Sequence, residues 1–311
     1  VGAIGTSNEI GTIGITGTDG ITLSGDITTA DNVANTTVTL TGDVSLGANI
    51  TIDTSSTGDA AADGNVTFSG KINSDGGTPR NLVVTTDDAN ISVTGLIGDA
   101  NALGTLDLNQ PTGSTGTIGL VGIGNGTTSA GTTGVTRIGN ANTTTLTLGG
   151  TNYYTDGATT YTAVTGGNNI SISGSSPTFT TSADAITFAT SNVLLANGTL
   201  TVNSVGGAIT FGGSISGTSA EDLVLNANGG STNTETISVG VIGSGGEIHT
   251  VGLTGADGIT LGGNITTMDG GTPANASFTG AVLLGADVIV STAAGANDGT
   301  ITFSSTIDSS G

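Results

Sequence analysis

The segment EIGTIGITGTDGITLSGDITT at 9–29 returns as EIHTVGLTGADGITLGGNITT at 247–267, with 15 identities in 21 aligned positions. The match runs on. GDVSLGAN (42–49) is answered by GAVLLGAD (280–287) at the same offset, and DGNVTFSGKINSDG (63–76) by DGTITFSSTIDSSG (298–311) after a short deletion. A long repeat unit therefore restarts near residue 240, with position 247 answering position 9. Shorter motifs sit inside it: IGTSNEIGTIGI (4–15), IGDANALGTLDL (97–108) and IGSGGEIHTVGL (242–253) are versions of one segment. TFSGKI (67–72), TFGGSI (210–215) and TFSSTI (302–307) are versions of another. Apolar positions keep their identity between copies while polar positions drift. Stacked coils require this, because each coil buries its apolar face only against its neighbours.

Between repeats the chain alternates strictly. TVTLTGDVSL (37–46), NITIDT (49–54), NISVTGLI (90–97) and TLTVNSV (199–205) place Val, Ile, Leu or Phe on one face and Thr, Ser, Asn or Asp on the other. That period of two marks half-buried strands, and the Gly, Asn, Asp and Ser clusters between them mark tight turns. Helix formers such as Glu, Lys, Gln and Arg are scarce. The chain reads as all-β.

Two architectures fit. An elongated parallel β-helix, or β-solenoid, would use coils of about 20–25 residues stacked at the interstrand spacing of about 4.8 Å. Tandem β-sandwich domains are the alternative, but they favour bulkier cores with a buried Trp or Tyr corner. This chain has no Trp, 3% aromatics and 56 Gly, so its core is thin and aliphatic. The solenoid is the expectation: residues 1–311 form one continuous repetitive solenoid, with Phe68, Phe211 and Phe303 at equivalent inner positions. The least repetitive stretch, 151–164, reads as a candidate inserted loop or hairpin. It carries all three tyrosines, Tyr153, Tyr154 and Tyr161, as a candidate binding loop for sugar or another chain.

Charge excludes several functions. There are 24 acidic residues against Lys71, Arg80 and Arg137, a net charge of −21. Nucleic acids and anionic membranes need a basic footprint that is missing here. No stretch has the roughly 20 apolar residues of a membrane helix, so no transmembrane segment is expected. With no cysteine, disulfide and thiol chemistry is absent.

The run ITLSGDIT, VTLTGDVSLGANITI, GNVTFSGKI, NISVTGLIGDANALGTLDL resembles the filamentous-haemagglutinin-like and autotransporter-like giant repeat proteins of bacteria. The resemblance covers most of 1–110 and 180–311 and implies a right-handed parallel β-helix. It also implies secretion to the cell surface and a fibrous role in adhesion or a matrix. The expectation is a structural repeat segment of a long secreted protein, forming a fibre, sheath or adhesin. It would associate with neighbouring copies or bind a glycan or cell-surface partner. A polysaccharide-degrading β-helix enzyme is a further, disfavoured alternative.

Material for chemistry is sparse. His249 is the single histidine, and the matching positions are Gly11 and Gly104, so it reads as a surface residue. The adjacent acids Asp87 with Asp88 and Glu221 with Asp222 could form a glycosidase pair only if they converge, and strand neighbours point to opposite faces. No catalytic residue and no cofactor is expected. Calcium is the one ligand with raw material, in turn acids such as Asp63, Asp87, Asp88 and Asp298. Asn65 and Asn197 begin N-x-S/T sequons. Thr37, Thr39 and Thr41, or Thr145 and Thr147, resemble the threonine arrays of ice-binding β-helices. Such arrays need one register repeated on every coil; here the threonine runs are irregular, and strand-surface threonine is the ordinary reading.

Overall fold

The computed structural model describes all residues except 6–9, 30–35, 56–62, 109–114, 127–130, 183, 230–233, 246–247, 269–271, 293–297 and 310–311. Every named strand pairing in it is parallel, and no helix forms among the described residues. The chain divides into two compact units, Val1–Gly157 with Tyr161–Val164, and Ala158–Thr160 with Thr165–Gly311.

In the first unit each of the early coils contributes three strands, one to each face. The first coil is β1 (Ile13–Thr16), β2 (Ile21–Leu23) and β3 (Ile27–Thr28). The second is β4 (Val38–Thr41), β5 (Val44–Leu46) and β6 (Ile50–Asp53). The third is β7 (Val66–Phe68), β8 (Ile72–Ser74) and β9 (Leu82–Thr85). Then come β10 (Ile91–Val93) with β11 (Leu106–Leu108), and β12 (Thr117–Leu120) with β13 (Thr136–Ile138). Last are β14 (Thr145–Leu148) and β15 (Asn152–Thr155); the residues of β16 (Thr159–Thr162) are shared between the units. The first face runs β1-β4-β7-β10-β12-β14, the second β2-β5-β8, the third β3-β6-β9-β11-β13. Past β8 the second face continues as single bridges, Ile72 to Ile97, Ile97 to Ile123 and Ile123 to Tyr153.

The second unit repeats the plan. Its coils are β17 (Ile170–Ile172), β18 (Thr178–Thr181), β19 (Ile186–Ala189); β20 (Val193–Leu195), β21 (Thr199–Ser204), β22 (Ile209–Phe211); and β23 (Ile215–Gly217), β24 (Glu221–Ala227), β25 (Thr236–Val239). They continue with β26 (Ile248–Gly255) and β27 (Gly258–Leu261). Then follow β28 (Ile265–Thr266), β29 (Ala276–Thr279), β30 (Val282–Leu284), and β31 (Val290–Ser291), β32 (Ile301–Phe303), β33 (Ile307–Ser309).

Both units are therefore parallel β-solenoids. Antiparallel sandwiches are ruled out, because a parallel partner is reached only by travelling around a whole coil. Register partners are unevenly spaced along the chain. Val193 meets Ile215 after a short coil, whereas Val38 meets Val66 only after a longer one. Coil length thus varies more than the sequence motifs suggest, and the variation falls in the corners.

The alternation sets the core. In β4, Val38 and Leu40 are fully buried while Thr41 faces solvent, and β6 buries Ile50 and Ile52 in the same way. Like packs on like from coil to coil. Phe188 and Phe211 stack at 4.5 Å between ring centres, and Phe278 and Phe303 at 4.6 Å. Phe68 lies in register with Leu40 and Val93 on the first face, whereas Phe211 on β22 and Phe303 on β32 belong to two other sheets, so the three phenylalanines do not occupy equivalent positions.

The two repeat copies fold alike, strand for strand. Ile13 pairs with Val38 and Ile21 with Val44; their counterparts Val251 and Ala276, Ile259 and Val282 pair identically. A corner threonine recurs as well. Thr54 donates to the Gly64 carbonyl at 2.6 Å, and its counterpart Thr292 donates to the Gly299 carbonyl at 2.8 Å.

Residues 151–164 correct the sequence reading. They form β15 and β16, ordinary strands of a coil, and not an inserted loop. Tyr153 and Tyr161 are each 1% exposed and meet edge to face at 6.3 Å. Tyr153 occupies the place that Ile123 holds one coil earlier. Its hydroxyl donates to the Leu120 carbonyl at 3.2 Å and accepts from Gly150 N–H at 3.0 Å, which satisfies a phenol inside an apolar column. The pair cannot bind a ligand; of the three tyrosines only Tyr154 reaches the surface, partly covered.

Candidate functional site

The polar residues of this chain meet mostly at coil corners, where they link successive coils. Asn65 Oδ1 accepts the backbone N–H of Asn90 at 2.9 Å, and Asn90 Oδ1 accepts that of Thr117 at 2.9 Å. Asn49 does the same for Asn81, and Asn81 for Thr105, both at 3.0 Å. Asp26, Asp43, Asn192, Asn264 and Asn275 serve N–H groups of Thr51, Lys71, Ser214, Ile289 and Thr300 in the same way. Each of these asparagines and aspartates stands at or just before a strand start, where the ladder has not yet begun and the N–H one coil on lacks a backbone partner. The side chain supplies it. This explains the Asn65 sequon: Asn at the corner, Val66 inward, Thr67 outward. Asn65 thus has a structural use, and Asn197 Nδ2 donates to the Ser173 carbonyl at 2.8 Å.

The calcium candidates belong to the same scheme. Asp63 accepts Asp88 N–H at 2.9 Å, and Asp88 accepts the Thr115 hydroxyl at 2.6 Å. Asp87, next to Asp88 in the same turn, adopts φ 48°. Asp298 is exposed at another corner, in the second unit. Among the described residues, no group of three or more His, Cys, Asp or Glu is placed to hold a metal ion.

Glu221 and Asp222 point apart. Glu221 is 1% exposed, and its carboxylate accepts Thr218 N–H at 2.9 Å, Ser219 N–H at 2.9 Å and the Thr218 hydroxyl at 2.8 Å. Asp222 faces outward and engages His249, whose Nδ1 lies 3.0 Å from Asp222 Oδ1. His249 Nε2 meets the Thr272 hydroxyl at 2.9 Å. The histidine expected to be a plain surface residue is therefore half-buried and ties three successive coils together. Hydroxyl, imidazole and carboxylate have the connectivity of an acyl-transfer triad. Catalysis also needs donors preorganised for an oxyanion, and the cluster's remaining donors, Thr250 N–H and Oγ1, are both spent on Asp222 Oδ1. The sequence hid this cluster because its members lie 27 and 23 residues apart.

The three basic residues each face an acid. Lys71 Nζ is 2.5 Å from Asp99, Arg80 3.1 Å from Asp75, and Arg137 3.5 Å from Asp107. The hydrogen bond to Asp99 raises the Lys71 pKa. Burial alone would raise that of Asp99, but hydrogen bonds from Lys71 and Asn73 overcome it and hold it low. Asp107 is raised by burial, and Asp257 by a hydrogen bond with the Glu235 carboxyl.

A hollow of about 810 Å³ lies against Leu284, Gly285, Ala286, Asp287 and Ile289. The equivalent corner of the first repeat, Leu46 to Ile50, is filled by the next coil: Asp75 N–H donates to the Leu46 carbonyl at 3.0 Å and Ile50 N–H to the Asn81 carbonyl at 2.9 Å. A smaller groove of about 320 Å³ on the second face is lined by Asp19, Thr22, Asp43, Ser45, Asn73 and Asn101.

These features define a parallel β-solenoid whose polar groups serve the stack. No family model, curated protein or solved structure matches the chain.

Proposed function

We propose that this chain is a structural repeat segment of a long secreted bacterial surface protein that builds an extracellular fibre, sheath or adhesin, and that it is not an enzyme. The observation that carries this reading is the repetition of register: two copies of one unit fold strand for strand, as Ile13 with Val38 and Val251 with Ala276 do. A chain selected for a catalytic site keeps its chemistry at one place. Here the repeated quantity is the coil itself, which buries its apolar face only against the next coil. The polar side chains support the same reading, since Asn and Asp ladders, Thr corners and the His249 cluster all join one coil to the next. The acidic surface keeps a long repetitive chain soluble.

Negative-stain microscopy of the purified chain tests this. Rods one coil in width, or fibres built from them, are expected. Separate globular beads, or turnover of polysaccharide at enzymatic rates, would overturn it.

A further inference from the structure

Part of the first face of the first unit is a lattice of hydroxyl groups, bounded in register by Gly14 before Thr39 and by Val121 after Thr94. Thr39 pairs with Thr67 and Thr67 with Ser92, forming one column. Ser92 is followed in register by Gly119 and then Thr147. The second column starts with Thr16, in register with Thr41, and continues one position beyond Phe68 and Val93 with Ser69 and Thr94. Across β4, β7 and β10, two columns of three hydroxyls stand side by side. Rows repeat at about 4.7–4.9 Å along the stack, and columns lie about 6.6 Å apart along the strand, two residue rises. Along the chain this order is invisible, because the corners differ in length: Ile13 is matched to Val38, but Val38 only to the more distant Val66.

Three further observations bear on what such a lattice binds. No charged residue occurs on β1, β4, β7, β10, β12 or β14, in a chain of net charge −21. Acids begin only at the rims, with Asp63 and Asp88 before the strands and Asp43 after them. The inward residues Val38, Leu40, Val66, Phe68, Ile91 and Val93 are all 0–1% exposed, so the outward hydroxyls stand on an immobile base. Among the described residues, only the Thr94 hydroxyl of these six makes a bond within the protein, a 3.3 Å donation to the Phe68 carbonyl.

We propose that this face binds ice. A neutral, rigid plane of unspent hydroxyls offers donors and acceptors at fixed intervals in two directions, which a single glycan chain or a protein surface does not match but a crystal lattice of water does. The oxygen layers of ice repeat at distances close to both intervals, so waters bridging the hydroxyls fall into lattice positions and freeze onto the crystal with little loss of entropy. The methyl groups of the threonines fill the spaces between. Charges would impose a radial hydration shell that no ice plane shares, which accounts for their confinement to the rims. The inference rests on the register, the absence of charge on these strands and the unspent hydroxyls, and is independent of the fibre reading.

Nanolitre osmometry of the intact chain, with observation of ice crystal shape, tests it. The wild-type chain is expected to facet growing crystals and to show a gap between melting and freezing. Thr67→Tyr, in the middle of the lattice, is expected to lose both effects while its circular dichroism stays unchanged. Thr51→Tyr on the third face keeps both. Gly119→Thr fills the empty row between Ser92 and Thr147. An added Cβ there meets nothing within 4 Å, so the variant is expected to fold and to widen the gap. Unaltered ice growth with the wild-type chain, or a Thr67→Tyr variant as active as wild type, would overturn the proposal.

Discussion

Asn65 Oδ1 holds the backbone N–H of Asn90 at 2.9 Å, one coil further along the stack, and Asn90 passes the same bond on to Thr117. Replacing Asn90 by alanine leaves the exposed Thr117 N–H to water and removes a bond worth about 0.5–1.5 kcal/mol. Accelerated amide exchange at Thr117, with earlier denaturant unfolding, is expected. Asn90→Asp keeps the acceptor and is expected to be nearly neutral.

That ladder shows which part of the fold could be read directly. Strands are legible wherever Val, Ile, Leu or Phe alternate with Thr and Ser, since a period of two admits one buried face. Coil register is not, because corner length changes from coil to coil. Tyr153 misleads by its chemistry: an aromatic in a weakly repetitive stretch suggests a surface loop. The alternation Asn152, Tyr153, Tyr154, Thr155 still carries the signal that one tyrosine faces inward. The Asn ladder also leaves a trace, an Asn directly before an apolar strand start in Asn49-Ile50, Asn65-Val66, Asn81-Leu82 and Asn90-Ile91. The His249 cluster leaves none, for its members meet only after the coils stack.

The buried tyrosines give a spectroscopic test. Burial raises both Tyr153 and Tyr161 far above the ordinary phenol value. Neither is expected to ionise before the fold opens, so alkaline titration of the native chain should leave two of three phenols silent until a cooperative unfolding step. Tyr153→Phe leaves Gly150 N–H unpaired and is expected to destabilise by about 1–3 kcal/mol.

Glycines divide sharply by position. A Cβ on Gly64 would lie 1.7 Å from the Thr36 carbonyl oxygen, whereas one on Gly14 meets nothing within 4 Å. Gly64→Ala must push two coils apart and is expected to lower the melting temperature or block folding. Gly14→Ala is expected to be neutral or to stabilise by about 0.4–1 kcal/mol through the unfolded chain. Thermal unfolding of the two variants side by side checks this.

The pH dependence follows from acids pushed in opposite directions. Asp257, hydrogen-bonded to Glu235, and Asp107, buried, have raised pKa values, so on acidification the folded chain takes up their protons before the unfolded chain does. Stability from these groups is therefore gained as pH falls from neutral toward the ordinary carboxylate value of about 3.9. Asp75, lowered by its hydrogen bond to Arg80, and Asp99, lowered through Lys71 and Asn73, act the other way. Their contribution is present above about 3.9 and is lost as pH falls through their depressed folded values. Partial discharge of a chain at −21 reinforces the gain on mild acidification. The melting temperature is expected to peak on the acid side of neutral, above about pH 4, and to fall steeply below it. Substituting Asp257→Asn removes one raised acid and is expected to flatten the rise while leaving the low-pH fall in place. A melting temperature that declines steadily from pH 7 downward would contradict the assignment.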